Sequence, residues 1–249
     1  MRLRVRYGEI IAELIEPMGE MDRHHCIIVL SGLPNQPRNE EFAENLAKEG
    51  FYILQPRYIG SWESYGSFSI ENCLKTLTDS IKVITKGKIL ELYNNKEINF
   101  SCDKISIISS SFGSAIAMSL PDADNYIFLC PLLDLEKHSK DENKKEQDLE
   151  DIAGFINRGW ENAFRRFDLK NWQSFIAGKS IVNPIKYVSK FKGKNMLFVH
   201  GTDDEVVHYS RTVEFANLLK NNNHVTLEIL EGVGHGNALS KMASSIIIK

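Results

Sequence analysis

The sequence predicts an α/β protein in which one mostly parallel sheet of about eight strands carries helices on both faces. Short, nearly continuous apolar runs rich in β-branched and aromatic residues recur along the 249-residue chain. Segments with the period of an amphipathic helix lie between most of these runs. Strands that alternate with helices in this way form parallel sheets covered on both sides.

The first strands differ from the later ones. LRVRY and IIAELIEP, with Gly8 between them, alternate polar and apolar side chains and predict an antiparallel hairpin. Six later runs lack that alternation and are typical of strands buried on both faces. They are CIIVL (26–30), FYILQ (51–55), KISIIS (104–109), NYIFLC (125–130), NMLFVH (195–200) and VTLEIL (225–230).

Three stretches have helical spacing of apolar residues. They cover 39–50, which ends on Gly50, then 70–93 and 209–220. A glycine just after the last helical turn is a common helix stop because it adopts the left-handed conformation without strain. These stretches supply the crossover helices of a parallel sheet.

Residues 134–193 separate two strands by far more than one crossover helix requires. The charged half, EKHSKDENKKEQDLED, predicts a solvated helical linker. The second half carries too many large aromatic side chains to leave in water, which predicts a helical cap over the C-terminal edge of the sheet. Those side chains are Phe155, Trp160, Phe164, Phe167, Trp172 and Phe175. We therefore expect one domain over 1–249 with a cap inserted at about 134–190.

Composition excludes several function classes. The net charge of −3 comes from well-mixed signs without a Lys/Arg stripe, so nucleic acid is not an expected partner. No signal peptide is recognisable, and no apolar run approaches the roughly 18 residues of a membrane span. The four cysteines lack CxxC spacing, which favours a reduced, cytoplasmic protein.

The segment KISIISSSFGSAIAM carries the strongest chemical signal. A predicted strand runs directly into Ser109-Ser110-Ser111-Phe112-Gly113 and then into a helix of small residues. This is the context of a nucleophile elbow, in which the middle serine is exposed on a tight turn. Ser111 is then the nucleophile, although Ser109 replaces the usual glycine. A serine-rich turn that only caps a helix is the alternative.

A serine hydroxyl needs an adjacent base that is itself oriented by an acid. Asp203 and Asp204 follow one buried strand, and His235 lies in a glycine-flanked loop after the next. Both loops lie at the C-terminal edge of the sheet, where open α/β sheets bind ligands. The chain order Ser, Asp, His is the order found in enzymes whose nucleophile lies on such a strand–turn–helix elbow.

These motifs together resemble the α/β-hydrolase superfamily, and within it the catalytic domains of prolyl-oligopeptidase-like serine hydrolases (dipeptidyl and acylaminoacyl peptidases). The resemblance rests on NPIKYVSKFKGKNMLFVHGTDDEVVHYS (183–210), the elbow and VGHG, and extends from about 24 to 240. The pattern G-x-x-D-x-x-V of that group implies that Asp204 is the acid and Asp203 a variable position. The expected fold is an α/β-hydrolase with a helical cap insertion.

The resemblance also implies an oxyanion hole formed by backbone N–H groups. One belongs to Phe112, directly after the nucleophile, and the other to the loop Ser31-Gly32-Leu33-Pro34. Proline has no N–H, so Leu33 is the expected second donor. Ser31 occupies the position of a family histidine, which is a second departure from the pattern.

We therefore expect a serine hydrolase that cleaves a carboxylic ester or related acyl bond of a small molecule through an acyl-serine intermediate, without metal or organic cofactor. Peptidase activity is the enzymatic alternative, but no N-terminal propeller precedes residue 1, which favours esters. The two departures leave open a catalytically silent binding protein. The spacing of His200, Asp203, Asp204, Glu205 and His208 fits no common metal motif. The sequence makes no prediction about oligomeric state.

Overall fold

A single ten-stranded sheet runs through the computed structural model, which describes residues 1–19, 21–34, 36, 41–138, 140, 146–159 and 162–235. Its strands are β1 (Arg2–Tyr7), β2 (Ile10–Ile15), β3 (His25–Leu30), β4 (Tyr52–Pro56), β5 (Lys88–Glu91), β6 (Lys96–Asn99), β7 (Lys104–Ser110), β8 (Asn125–Leu129), β9 (Asn195–Gly201) and β10 (His224–Leu230). The helices are α1 (Glu41–Lys48), α2 (Ile70–Lys86), α3 (Phe112–Ala117), α4 (Leu149–Gly159), α5 (Leu169–Ile176) and α6 (Tyr209–Leu219), with a 3₁₀-helix at Pro184–Lys190.

The strand order is β10-β9-β8-β7-β3-β4-β2-β1-β5-β6. Strands β10 to β4 in this order pair in parallel, whereas β2, β1, β5 and β6 are joined by antiparallel pairing. The loops that follow β3, β7, β8, β9 and β10 consequently leave the sheet at the same edge.

The central strands are buried on both faces, as their continuous apolar sequence predicts. In β3, Cys26, Ile28 and Leu30 join the larger hydrophobic core. The intervening Ile27 and Val29 face a second core on the other side of the sheet, with α1. Because side chains alternate along a strand, only a strand covered on both sides needs apolar residues at every position.

The predicted fold class is confirmed, but β5 and β6 were not expected. The helix predicted over 70–93 ends at Lys86, where Gly87 has φ 68° and its N–H donates to Val83 O and Ile84 O. A Cβ at Gly87 would lie 2.4 Å from Phe100 O, so a side chain is excluded there. The chain then turns into the short β5–β6 hairpin. Its strands have four residues each and carry exposed polar side chains, so the sequence lacks the apolar alternation that would predict them.

The insertion between β8 and β9 contains α4, α5 and the 3₁₀-helix. Trp172 and Phe175 of α5 are fully buried and pack on Phe112, with ring centroids 6.0 and 5.5 Å away. Phe155 of α4 remains 46% exposed. Trp160 lies outside the described residues. The insertion is therefore packed directly on the first residue of α3.

The charged half of the insertion is not simply a solvated linker. Glu146 is completely buried, and its carboxylate accepts hydrogen bonds from Arg211 Nη2 at 3.2 Å and from the His208 N–H at 3.0 Å. Arg211 also donates to Lys137 O at 2.8 Å. A buried charge requires a partner of opposite sign, and here the partner lies on α6. This pair fixes the start of the insertion to α6.

Among the described residues, no helix combines the length and the apolar character that crossing a membrane requires.

Phe164 provides a test of how the insertion is held. Its ring is 1% exposed and packs edge-on against Phe68 of the loop after β4, at 4.9 Å between centroids. Phe164→Ala should lower the free energy of unfolding by about 3–5 kcal/mol, since it leaves a cavity between two segments. Urea unfolding measures this. Tyr93→Ala, at an 80% exposed position, should stay within about 0.5 kcal/mol. Equal effects of the two substitutions would contradict the packing.

Candidate active site

Ser111 lies on a strained turn between β7 and α3. Its backbone has φ 49° and ψ −121°, which is unfavourable for a residue with a side chain. The turn is held by backbone bonds in which Ser111 N donates to Leu129 O and Ser111 O accepts from Ser114 N. A Cβ at Gly113 would lie 2.4 Å from Leu30 O, so only glycine fits there. The sharp turn therefore depends on close contact with the end of β3.

Ser109, which replaces the usual glycine, is accommodated within the turn. Its side chain is buried, and Oγ lies 3.2 Å from Ser114 Oγ and donates to Ile127 O at 3.4 Å. The hydroxyl is therefore satisfied rather than in collision with the neighbouring backbone. A serine at this position is therefore compatible with the tight turn.

Asp204 lies in the loop that follows β9 and is 3% exposed. Its Oδ1 accepts from the N–H groups of Val206 and Val207, at 2.9 Å each. Burial on its own would raise the pKa of this carboxyl. Hydrogen bonds from His200, His235 and Val207 outweigh burial and hold the pKa well below its usual range. Asp204 is therefore ionised at neutral pH.

His235 is brought to the same carboxylate. Its Nδ1 lies 2.7 Å from Asp204 Oδ2. Because an ionised carboxylate only accepts hydrogen bonds, Nδ1 must carry the proton, and in the neutral ring Nε2 then keeps the free lone pair. The neighbouring Asp203 instead accepts from the Thr202 hydroxyl at 3.0 Å. The structure thus brings His235 to Asp204 and not to Asp203.

Ser111 and His235 open into one cavity of about 320 Å³. It lies between the sheet edge and the insertion, and the described lining residues include no Asp, Glu, Lys or Arg. They are Leu33, Pro34, Ser111, Phe112, Leu132, Gln147, Leu149, Ile152, Phe155, Ile156, Trp172, Val206, Val207 and His235. The cavity is suited to an uncharged, largely apolar ligand.

The loop after β3 passes close to the serine. A Cβ at Gly32 would lie 2.9 Å from Ser111 Cβ, and the Gly32 N–H donates to Ser110 Oγ at 3.1 Å. With the Gly32 N–H engaged by Ser110, the next amide is that of Leu33. Leu33 and Phe112, the two residues expected to provide oxyanion donors, both line the cavity.

Residues 56–68 support this loop from behind. The Tyr58 hydroxyl donates to Ser31 O at 2.9 Å, and Trp62 Nε1 donates to Pro34 O at 2.8 Å. Neither aromatic ring lines the described cavity wall. Tyr58 and Trp62 therefore belong to a packed loop that supports the chain after β3.

The sequence did not indicate the contact that His200 makes with Asp204. Its buried ring contacts Asp204, and Cys130 lies nearby, so that one ligand atom from each of these three residues lies within 4.8 Å of the others. Burial, followed by the Asp204 charge, raises the pKa of the Cys130 thiol to about 12. A protonated thiol and a ring N–H directed at a carboxylate suit a hydrogen-bond network better than a metal site. The one sequence feature that could have indicated this contact is a polar residue, His200, near the end of an otherwise apolar strand.

Comparisons with known proteins identify hydrolases with a similar fold. The model of the prolyl oligopeptidase family matches residues 167–245, which include Asp204 and His235. A search of curated proteins finds no match. Among solved structures, esterase 2 of the Planctomycetes species Thermogutta terrifontis, with propionate bound, superposes with a TM-score of 0.64 at 17% identity, covering 97% of this chain and 91% of that one.

The same esterase phosphonylated by sarin gives a TM-score of 0.64 at 16% identity, with 97% and 91% of the two chains covered. An α/β serine hydrolase homologue from Coxiella burnetii gives 0.56 at 14% identity, with 96% and 92% covered. Identities this low establish the fold and not the substrate. The protein thus has the fold of the α/β-hydrolase superfamily.

Proposed function

We propose that this protein is a serine hydrolase that cleaves carboxylic esters with an uncharged, apolar acyl group through an acyl-Ser111 intermediate. The observation that carries the proposal is the 2.7 Å contact between His235 and the buried Asp204, with His235 and Ser111 on the wall of one cavity. A serine on a merely structural turn would not need a histidine, paired with an ionised acid, on the wall of the same cavity.

In the proposed reaction, His235 Nε2 takes the proton from Ser111 Oγ as that oxygen attacks the ester carbonyl. The oxyanion accepts from the N–H groups of Leu33 and Phe112, and Asp204 stabilises the imidazolium. His235 then protonates the departing alcohol. Water deprotonated by the same nitrogen attacks the acyl-serine, which releases the acid and restores Ser111.

The cavity favours apolar acyl groups over charged ones. Its described walls come mainly from aliphatic and aromatic side chains, to which α4 and α5 contribute residues such as Leu149, Ile152 and Trp172. A charged peptide terminus would lose hydration there without gaining a counter-ion. The Thermogutta terrifontis esterase has been solved with propionate and with butyrate bound, which supports short acyl chains for this fold.

Three further features support the proposal. Residues 1–249 are best treated as one domain in which the insertion at about 134–190 is the cap, since α4 and α5 cover the cavity that contains Ser111. The hydroxyl of Ser109 is hydrogen-bonded within the turn, so this departure favours an active enzyme over a silent binding protein. The described chemistry needs no metal or organic cofactor, because nucleophile, base and acid are all side chains.

Ser111→Ala should abolish labelling by a fluorophosphonate probe and hydrolysis of p-nitrophenyl esters, because only an activated serine reacts with the probe. Ser101→Ala, at an exposed position, is the matched control and should label at the wild-type rate. A panel of p-nitrophenyl esters of increasing length, run beside aminoacyl-naphthylamides, tests ester against peptide specificity. Labelling that persists in Ser111→Ala would overturn the proposal, and faster cleavage of the naphthylamides would make the protein a peptidase.

The two neighbouring carboxylates provide a stringent test of the acid. Asp204→Asn should lower turnover by about 10⁴-fold, the loss seen when a triad carboxylate no longer holds the histidine in the correct tautomer. Asp203→Asn should stay within about tenfold of wild type, or ~1.4 kcal/mol in barrier. Steady-state kinetics on one short ester compares them. The reverse order would assign the acid to Asp203.

Asp204 should also set an acid limit of stability. Its pKa is lower in the folded protein than in the unfolded chain, so ionisation stabilises the fold at pH values above the unfolded pKa of about 3.9. This contribution is lost progressively as the pH falls below that value toward the folded pKa. The stability difference between wild type and Asp204→Asn should therefore be larger at pH 6 than at pH 3, as measured by urea unfolding. A difference that grows on acidification would contradict the ionised assignment.

A further inference from the structure

His200, near the end of β9, contacts the acid of the proposed triad without lining the described cavity. The side chain is completely buried. Its Nε2 lies 3.0 Å from Asp204 Oδ2 and 2.9 Å from Val207 O. Both of these atoms are acceptors, so Nε2 must carry a proton and donate it.

Among the described residues, donors from the backbone and from two imidazoles reach both oxygens of the Asp204 carboxylate. Two backbone N–H groups donate to Oδ1, and the imidazoles of His200 and His235 both donate to Oδ2. A carboxylate held on both oxygens cannot rotate without breaking several of these bonds. The lone pair that meets His235 therefore has a fixed direction.

Thr212 of α6 fixes the tautomer of His200. Its hydroxyl lies 2.7 Å from His200 Nδ1, and both residues are fully buried. In the neutral imidazole that nitrogen is an acceptor, so the hydroxyl donates to it and the ring proton stays on Nε2. A continuous hydrogen-bonded chain thus runs from Thr212 through His200 and Asp204 to His235.

Few other titratable side chains of the described residues lie close to the Asp204 carboxylate. Among the described residues, the titratable side chains that lie against Asp204 are His200 on β9, His235 after β10, and Cys130 at the end of β8. Burial raises the pKa of the Cys130 thiol to about 12, so it keeps its proton between pH 5 and 9. Over that range Cys130 adds no change of charge.

We propose that His200 is a positioning residue for the hydrolase: it holds the Asp204 carboxylate in the orientation in which Oδ2 accepts from His235. This inference rests on the proposed function and adds a fourth side chain to the machinery. His200 does not line the described cavity wall, so it acts through Asp204 and not on the substrate.

Loss of this donor has two consequences. The carboxylate gains freedom to rotate, which should lower kcat by about 10–100-fold, as when a partner that orients a functional ligand is removed. Without the His200 donor, fewer hydrogen bonds stabilise the negative charge of the Asp204 carboxylate. That carboxylate therefore stabilises the His235 imidazolium more strongly than in the wild type. The pH at which the rate reaches half its maximum should therefore rise by about half a unit or more.

The test compares His200→Phe with His200→Gln. Phenylalanine fills the space without a donor, whereas the glutamine amide nitrogen is the same number of bonds from Cα as Nε2 and can donate to Asp204. Fluorophosphonate labelling rates across pH 5–9, and kcat and KM on one short ester, are measured for each. We expect His200→Phe to lower kcat and raise the midpoint with KM nearly unchanged, and His200→Gln to recover most of both.

His25→Phe is the matched control. His25 is also buried and pairs through Nε2 with the Ser106 hydroxyl at 2.8 Å, but at the start of β3, away from the elbow. It should keep the wild-type midpoint. If His200→Phe does not fold, Thr212→Val retains the imidazole and should raise the midpoint in the same direction by a smaller amount.

The outcomes separate the two proposals. A wild-type protein that is not labelled at Ser111 overturns the proposed function itself. If labelling depends on Ser111 but His200→Phe keeps the wild-type rate and midpoint, the positioning role is wrong. It is also wrong if folded His200→Gln is as slow as His200→Phe, because the loss would then reflect packing and not the hydrogen bond.

Discussion

A buried carboxylate at the end of β9 imposes the strongest local constraint on this molecule. Asp204 is stable there as an ion only because donors reach both of its oxygens. The loop must therefore curl so that the Val206 and Val207 amides point inward. Strand β9 must place His200, its penultimate residue, beside the carboxylate, and the segment after β10 must return His235 to the same oxygen. The loop after β9, the end of β9 and the segment after β10 are thus arranged around the Asp204 carboxylate.

Much of this could be predicted from the sequence, since the signals concerned are local. Continuous apolar runs identify strands buried on both faces, and Ser111 was recognisable because strand, tight turn and small-residue helix follow one another directly. Asp204 was distinguished from Asp203 by the G-x-x-D-x-x-V resemblance. By contrast, the periodicity of the sequence does not encode the contacts of Glu146 and His200. Glu146 pairs with Arg211, which is far away in sequence, and His200 contacts Asp204 from near the end of an apolar strand. The β5–β6 hairpin was missed because its strands are short and half exposed.

The first and last positions of the predicted elbow differ in the side chains that they tolerate. The first elbow position needs little volume, and Ser109 provides this while its hydroxyl contacts Ser114. The last elbow position is stricter, because a Cβ at Gly113 would meet the carbonyl oxygens of Leu30 and Ser31 at 2.4 and 2.8 Å. Backbone oxygens of a central strand cannot move aside as a side chain can. A serine is therefore compatible with the first position, whereas glycine is required at the last.

The buried ion pair of Glu146 and Arg211 joins the inserted segment to α6. Glu146 begins the segment that covers the cavity, and Arg211 lies on the helix that follows the Asp204 loop. A cap transplanted from a homologue without a carboxylate at this position would leave the Arg211 guanidinium buried and uncompensated, beside the loop that orients the histidine. Recombination within this fold would therefore have to exchange the cap together with α6, so the unit of modular inheritance is larger than the inserted segment itself.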